Sequence, residues 1–351
     1  MVVSALNLLP WQGEVLLEAL RQWRSSAVAL HGEPGCGQLE LAFAAAKAWL
    51  CEGPERPLAA LAMPIESACG HCASCHLVEA GYHPDLQVVL PEAFFPLMGW
   101  DHLTPGDSDG GEGKAESKKR KPSTEIKVEA IRQVVAFSQS TVSRGRAKVV
   151  LIHPAERLNT VAANTLLKTL EEPPGQVRFV LSCGALDVLL PTVRSRCQAW
   201  HLPLPQGPEV MAWLQHAAPS LSAPDAQMLL AGAGGRPQAA LDLLQLGWTA
   251  PLWRGLCGQI RQGQLGAWSS WPLPKLTETL QKLCHDLSCV AVGAAPRFFP
   301  AGALGQGGDL IRLTAWAHEL RQTQRQSHHP WNAPLKLEAL LFQARRHTHS
   351  G

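Results

Sequence analysis

Two stretches of this chain carry residues whose types and spacing suit chemistry. The first is His31-Gly32-Glu33-Pro34-Gly35-Cys36-Gly37-Gln38-Leu39, between the apolar run Ala27-Val28-Ala29-Leu30 and a helical pattern over 40–50. A strand, a glycine-rich turn and a helix N-terminus together present backbone N–H groups to phosphate. Gly32, Gly35 and Gly37 stand where the pattern G-x-x-x-x-G-K-[ST] and its G-x-x-G-x-G variant require glycine, yet the next two positions are Gln38 and Leu39. Gln has no charge to meet a β- or γ-phosphate, and Leu has no oxygen for Mg²⁺. The loop keeps the shape of a nucleotide site without its chemistry, so no functional ATP/Mg site is expected. Taken alone, the same residues also read as an ordinary glycine turn.

The second stretch is Cys69-Gly70-His71-Cys72-Ala73-Ser74-Cys75, three thiols at C-x₂-C-x₂-C. With Cys51 at the end of the preceding helix they form a four-thiolate set suited to tetrahedral Zn²⁺. Iron–sulfur ligation uses similar spacing, but nothing else in the chain suggests redox work. His71, His76 and His83 are alternative ligands. Four protein ligands leave no open coordination position, so the expected role is structural. The remaining cysteines are scattered, at 36, 183, 197, 257, 284 and 289; outside the glycine loop they read as small buried hydrophobes.

The elements that must hold these groups follow from apolar periodicity. An amphipathic helix is expected over 10–24, a strand over 27–31, a buried strand over 86–90 and a helix over 126–142. A second buried strand, Lys148-Val149-Val150-Leu151-Ile152, ends in His153-Pro154-Ala155-Glu156. In a nucleotide hydrolase that strand ends in acidic residues that hold Mg²⁺ and prime water; Pro154 and Ala155 do neither, and Glu156 comes late. The helix over 159–172 is stopped by Pro173-Pro174. The strand Arg178–Ser182 and the segment Thr192-Val193-Arg194-Ser195-Arg196-Cys197 follow. Residues 101–124 change to Asp, Gly and Ser and then Lys118-Lys119-Arg120-Lys121, which reads as a flexible, solvated insertion.

At 351 residues the chain should hold two or three domains, and its net charge of +2 supplies no global field for nucleic acid or membrane. No apolar run approaches the roughly 20 residues of a spanning helix. Met1–Leu9 lacks the basic start of a signal peptide. A cytoplasmic location, with reduced thiols, is expected.

The helix Ala162-Ala163-Asn164-Thr165-Leu166-Leu167-Lys168-Thr169-Leu170-Glu171-Glu172-Pro173-Pro174, followed by a strand and Ser195-Arg196-Cys197, resembles the clamp-loader branch of the AAA+ family. The inserted cysteines, the His83-Pro84-Asp85 after them and the degraded loop narrow the resemblance to members of the bacterial DNA polymerase III clamp loader that do not hydrolyse ATP. It covers residues 1–204 with high specificity and the remainder mainly in layout and length.

The resemblance implies α/β plus all-α architecture. A RecA-like AAA+ domain (1–204) would carry an inserted zinc module (about 51–76), followed by a small helical lid (205–247) and a helical oligomerisation collar (248–351). It implies that the active members' Lys and Thr are replaced by Gln38 and Leu39, and their acidic pair by His153 and Pro154. Their two sensor residues are replaced by Cys183 and by Gln238 in Gly235-Arg236-Pro237-Gln238. It also implies that Arg196 reaches into a neighbouring subunit's ATP site as a trans arginine finger, with Arg194 a second candidate. The implied partners are the gamma/tau ATPase and delta subunits, with sliding clamp and primed DNA met through the complex and no membrane. Read from the residues alone, without that motif, Arg196 is a surface arginine in a turn.

In the second half, helices are expected over 210–216, 224–231 and 237–246. Leu310, Leu313, Ala317 and Leu320 should line one later helix face, and Leu335, Ala339 and Phe342 another. Trp248, Trp253 and Trp268 read as core or interface anchors rather than base-stacking platforms. Two other functions fit some of these features. An active ATPase would need Gln38 and Leu39 to be tolerated and Glu156 to ligate magnesium. A zinc-dependent nucleic-acid binder would bind DNA tightly by itself, with steep salt dependence.

Overall fold

The computed structural model describes residues 8–53, 67–94, 123–264, 266–305, 308–326 and 332–348. The basic run 118–121 and most of the insertion expected over 101–124 lie outside these residues. The chain divides into two compact units, Met1–Leu204 and Pro205–Gly351.

The first unit is built on a sheet of β1 (Ala27–His31), β2 (Leu86–Val89), β3 (Lys148–Ile152), β4 (Val177–Cys183) and β5 (Gln198–His201). Their order is β2-β3-β4-β1-β5 and every pairing is parallel. β3, β4 and β1 are buried on both faces, which is why they read as near-continuous apolar runs. Side chains alternate across the sheet. Val28, Leu30, Val149, Leu151 and Val180 face the helices Gly13–Gln22 and Gln38–Leu50. Ala27, Ala29, Val150, Ile152, Phe179 and Leu181 face the helices Val128–Gln139 and Thr160–Glu171. The expected buried strand at 86–90 is instead an edge strand: Leu86, Gln87 and Val88 are half-buried and only Val89 is fully covered. Edge placement removes one neighbour, so partial burial of Leu86, Gln87 and Val88 replaces the continuous run that the sequence suggested.

The carboxyl ends of β1, β3 and β4 bring together His31, Ile152 and Cys183, with the glycine loop leaving β1 at that end. Asn159 caps the helix that follows β3, its Oδ1 accepting Ala162 N–H at 2.8 Å.

The second unit is helical among its described residues. Helices Pro208–Ala217, Ala223–Gly232, Pro237–Gln245 and Ala250–Arg261 are followed by Leu273–Ala291, Leu310–Arg325 and Ala333–Thr348. Trp248, Trp253 and Trp268 are core residues; Trp253 stacks on Phe299 with ring centroids 4.5 Å apart. One expected stripe holds except at its first residue, and a second needs correction. On Leu310–Arg325 the buried face is Leu313, Trp316 and Leu320, while Leu310 is 46% exposed. On Ala333–Thr348 the buried residues are Leu340, Ala344 and His347; Leu335 and Phe342 are 63% and 69% exposed. On the first helix the expected Leu313, Ala317 and Leu320 do pack on the core and only Leu310 falls outside it; on the second, Leu340 and its leucine neighbours face the core in place of Leu335 and Phe342, because that helix carries apolar residues on more than one face.

A cluster of charges lies beside this core. Glu278 accepts hydrogen bonds from Arg236 and Lys282, each at 2.8 Å, with Lys275 at 3.1 Å. Burial pushes the Glu278 carboxyl up, but the pull of Lys282, Lys275 and Arg236 outweighs it and brings it down to about 2. The folded state therefore holds this carboxylate ionised well below the pH at which an unfolded one protonates. Its stabilisation is complete above about pH 4.5 and is lost as pH falls toward 2. Glu278→Gln leaves three cations without their shared carboxylate and should cost about 3 kcal/mol, with a flatter acid limb in urea melts between pH 2 and 5.

Candidate functional site

The glycine loop is closed by side-chain amides. Gly35 and Gly37 have φ of +91° and +93°, the left-handed region that favours glycine. A Cβ on Gly37 would also stand 2.5 Å from both Gln12 Nε2 and Leu9 Cδ1. Gln38, 5% exposed, donates from Nε2 to Gly32 O at 2.7 Å and Glu33 O at 2.8 Å. Buried Gln12 donates to Gly37 O at 2.8 Å, and its Oε1 accepts Leu9 N–H at 3.1 Å. Two neutral amides thus bind loop carbonyls, and neither supplies positive charge. Leu39 is 8% exposed and belongs to the core beneath the loop. Gln12 was missed in the sequence because it lies 25 positions before Gly37; its one signal is a polar residue at a turn entering an amphipathic helix. Gln38→Ala removes both bonds to the loop and should cost about 1–3 kcal/mol of stability, read from urea unfolding.

At the end of β3, His153 Nδ1 lies 2.7 Å from Ser182 Oγ. Burial lowers its pKa to about 4, so the imidazole is neutral where an acidic residue would hold magnesium. Glu156 comes nearer the loop than its position in sequence suggested. Its Oε1 accepts Gly184 N–H at 3.3 Å, and Gly184 also borders Pro34. Burial pushes the Cys183 thiol up to about 12, leaving a protonated, weakly polar group at the end of β4. Gln238 lies in the first turn of the helix Pro237–Gln245, in the second unit.

Arg196 is held at the surface of the first unit. Its Nε and Nη2 donate to Glu171 Oε2 at 3.1 and 2.9 Å, and Nη1 donates to Thr192 O at 3.1 Å. Glu171 ends the helix Thr160–Glu171 and is 59% exposed, so the guanidinium rests on a solvated carboxylate. Arg194, the last residue of the short helix Pro191–Arg194, is exposed.

The four predicted cysteines come together. Cys51, Cys69, Cys72 and Cys75 place their sulfurs within 4.8 Å of one another. Cys69–Cys75 and Cys51–Cys72 are 3.9 and 4.0 Å apart. Thiolates about 2.3 Å from a tetrahedral zinc are about 3.8 Å apart, so the set fits the ion. Backbone N–H groups also point at sulfur: Cys69 N to Cys51 Sγ at 3.3 Å, with Glu52 N and Cys75 N each 3.4 Å from Cys72 Sγ. Backbone N–H groups of His71 and Cys72 lower the Cys69 thiol to about 6, and burial raises that of Cys75. A Cβ on Gly53 would sit 3.6 Å from Cys51 Sγ and from Cys69 Cβ, so the backbone lies close against the cluster.

The three histidines do not join the set. His71 Nδ1 lies 2.9 Å from Cys69 O, and His76 is exposed. His83 is buried with Nε2 2.6 Å from Ser74 Oγ, while its Nδ1 accepts Asp85 N–H. Asp85 accepts Ser143 N–H and Arg144 N–H at 2.8 and 2.9 Å, and Arg144 forks onto Glu52 beside Cys51. His83 and Asp85 therefore tether the cysteine module to the sheet.

The family model described as "DNA polymerase III, delta subunit" matches residues 14–206. The DNA polymerase III subunit delta′ of Pseudomonas aeruginosa is 35% identical over 281 residues, covering 77% of this chain and 74% of that protein. The Escherichia coli subunit delta′ is 31% identical over 219 residues, 62% of this chain and 54% of that one. The chain thus spans about three quarters of the first relative and about half of the second. A crystal structure of a DNA polymerase III gamma-subunit-related protein from Thermotoga maritima aligns over 96% of this chain and 100% of that one at 16% identity, with a TM-score of 0.45. The match to residues 14–206 takes in the loop, the cysteine cluster and Arg196, and this chain belongs to the delta′ family of DNA polymerase III clamp-loader subunits.

Proposed function

We propose that this chain is the nucleotide-silent subunit of a clamp loader. It assembles with gamma/tau-type ATPase subunits and a delta subunit, helps place the sliding clamp on primed DNA in the cytoplasm, and lends Arg196 in trans to a neighbour's ATP. The observation that carries this reading is the closed loop: Gln38 spends its amide on Gly32 O and Glu33 O, where a hydrolase keeps a lysine for phosphate. Leu39 and His153 supply no magnesium ligand, so no step of hydrolysis is assigned to this chain. Residues 205–247 serve as a small lid and 248–351 as the oligomerising collar. Zinc on Cys51, Cys69, Cys72 and Cys75 supplies fold stability and no catalysis.

A guanidinium that acts in trans needs no nucleotide site on its own subunit, so Arg196 stays useful where Gln38 and Leu39 have replaced the catalytic pair. The test is ATP turnover by the purified chain, and then after mixing with ATPase-competent loader subunits, clamp and primed DNA. The chain alone should be silent, as should Gln38→Lys, because Leu39 and Pro154 still offer magnesium nothing. Steady hydrolysis by the isolated wild-type chain would overturn the reading.

A further inference from the structure

A second group of metal-ligating side chains lies far along the chain from the cysteine module, on the helix Leu273–Ala291. His285 and Cys289 stand one turn apart on the same helix face. The His285 side chain is 52% exposed and Cys289 is partly exposed, so a cation can reach both from solvent. Cys289 Sγ is 3.8 Å from His285 Nδ1 and 3.9 Å from Nε2, so the sulfur faces both ring nitrogens and must turn about its χ1 toward Nε2 to share an ion with it.

The imidazole is also oriented from behind. His285 Nδ1 lies 3.0 Å from Asp286 Oδ1, and Asp286 is fully buried. That carboxylate accepts Arg297 N–H at 2.9 Å on Oδ1, and Phe298 and Phe299 N–H at 2.7 Å each on Oδ2. Several fixed donors hold Asp286 as an acceptor, so Nδ1 faces it as a donor and Nε2 is the nitrogen turned outward. A carboxylate behind one ring nitrogen, with the other free for a cation, is the arrangement that fixes metal-binding histidines. The Phe298 ring packs against His285, centroids 5.4 Å apart, and limits its rotation. The nearby cations are turned to Phe298: Lys282 Nζ is 5.7 Å and Arg297 5.3 Å from its ring centroid. Lys282 is in addition paired with Glu278.

We propose that His285 Nε2 and Cys289 Sγ form a second divalent-cation site, taking Zn²⁺ with Asp286 as the residue that orients the imidazole. Two protein ligands leave two coordination positions for water, so binding is weaker than at a four-cysteine site. The test is zinc and cobalt titration of the full chain, wild type against His285→Ala and Cys289→Ser. Both side chains are at the surface, so neither change disturbs the core. The wild-type chain should take one more equivalent than either variant, with the affinity of that equivalent lowered about tenfold or more by each change. Cobalt at this site should show a thiolate-to-metal charge-transfer band that Cys289→Ser removes. The proposal is overturned if no such equivalent exists or if it persists unchanged in both variants. Failure of the Cys51 cluster to bind would remove a different equivalent, one insensitive to His285.

Discussion

Arg196→Ala should lower ATP turnover at the loader site that we propose this subunit completes by about 10³-fold or more, the range for arginine fingers. The size of the effect follows from what the guanidinium does now and what it would do there. In this chain it lies on Glu171, a carboxylate that is 59% exposed. Exposed ion pairs contribute about 0–1 kcal/mol, so little is lost when the side chain leaves Glu171 for a phosphate. On a γ-phosphate the same planar, permanently charged fork meets charge that grows in the transition state, where each 1.4 kcal/mol or so is tenfold in rate. Arg196→Lys should recover little, because an ammonium cannot bridge two oxygens as a fork does. The measurement is kcat of the reconstituted loader, with assembly followed separately by sedimentation. Turnover unchanged while the complex stays intact would refute the trans role, and stability of the isolated chain should move by no more than about 1 kcal/mol.

Removing metal from the cysteine module should be the second large effect. The purified chain should carry zinc at Cys51, Cys69, Cys72 and Cys75, and a strong chelator should lower the melting temperature of the first unit by about 10 °C, at about 2–4 °C per kcal/mol. The cause is electrostatic as well as geometric. Four sulfurs drawn to within 4.8 Å repel one another once ionised, and without a cation the set must keep protons. Burial already holds Cys75 as a thiol, so loading the site must release protons, which calorimetry in buffers of different ionisation enthalpy will detect. Damage should spread to the tether, since Glu52 beside Cys51 carries Arg144, and Arg144 N–H is held by Asp85. Cys72→Ser should mimic the chelator, because Cys72 Sγ also receives two backbone N–H groups. Chelation that leaves both melting and assembly untouched would count against a structural role for the metal.

Much of this was legible before any coordinates, for a reason that individual residues make plain. What a group can do to phosphate or magnesium is set by its own atoms. The absence of a charge at Gln38 and of oxygen at Leu39 and Pro154 therefore needs no fold to be recognised. Apolar runs announced β1, β3 and β4 because central parallel strands are covered on both faces. The same rule overstated the burial of Leu86–Val89, where the sheet stops and one neighbour is missing.

The Cys69–Cys75 spacing marked out a candidate metal set, since three thiolates so close in sequence can face one ion, and the fold brings Cys51 to them. Tertiary structure decided what these residues touch instead. That Gln38 would fold its amide back onto Gly32 and Glu33, with Gln12 closing the loop from a separate helix, depends on how the chain before β1 packs beside it. The pairing of Arg196 with Glu171 joins groups 25 positions apart, and the exposure of Phe342 reverses a stripe that looked apolar. Residue type dictates capacity, but a contact between distant segments is set by which faces the sheet and helices leave adjacent. Only the folded chain determines that.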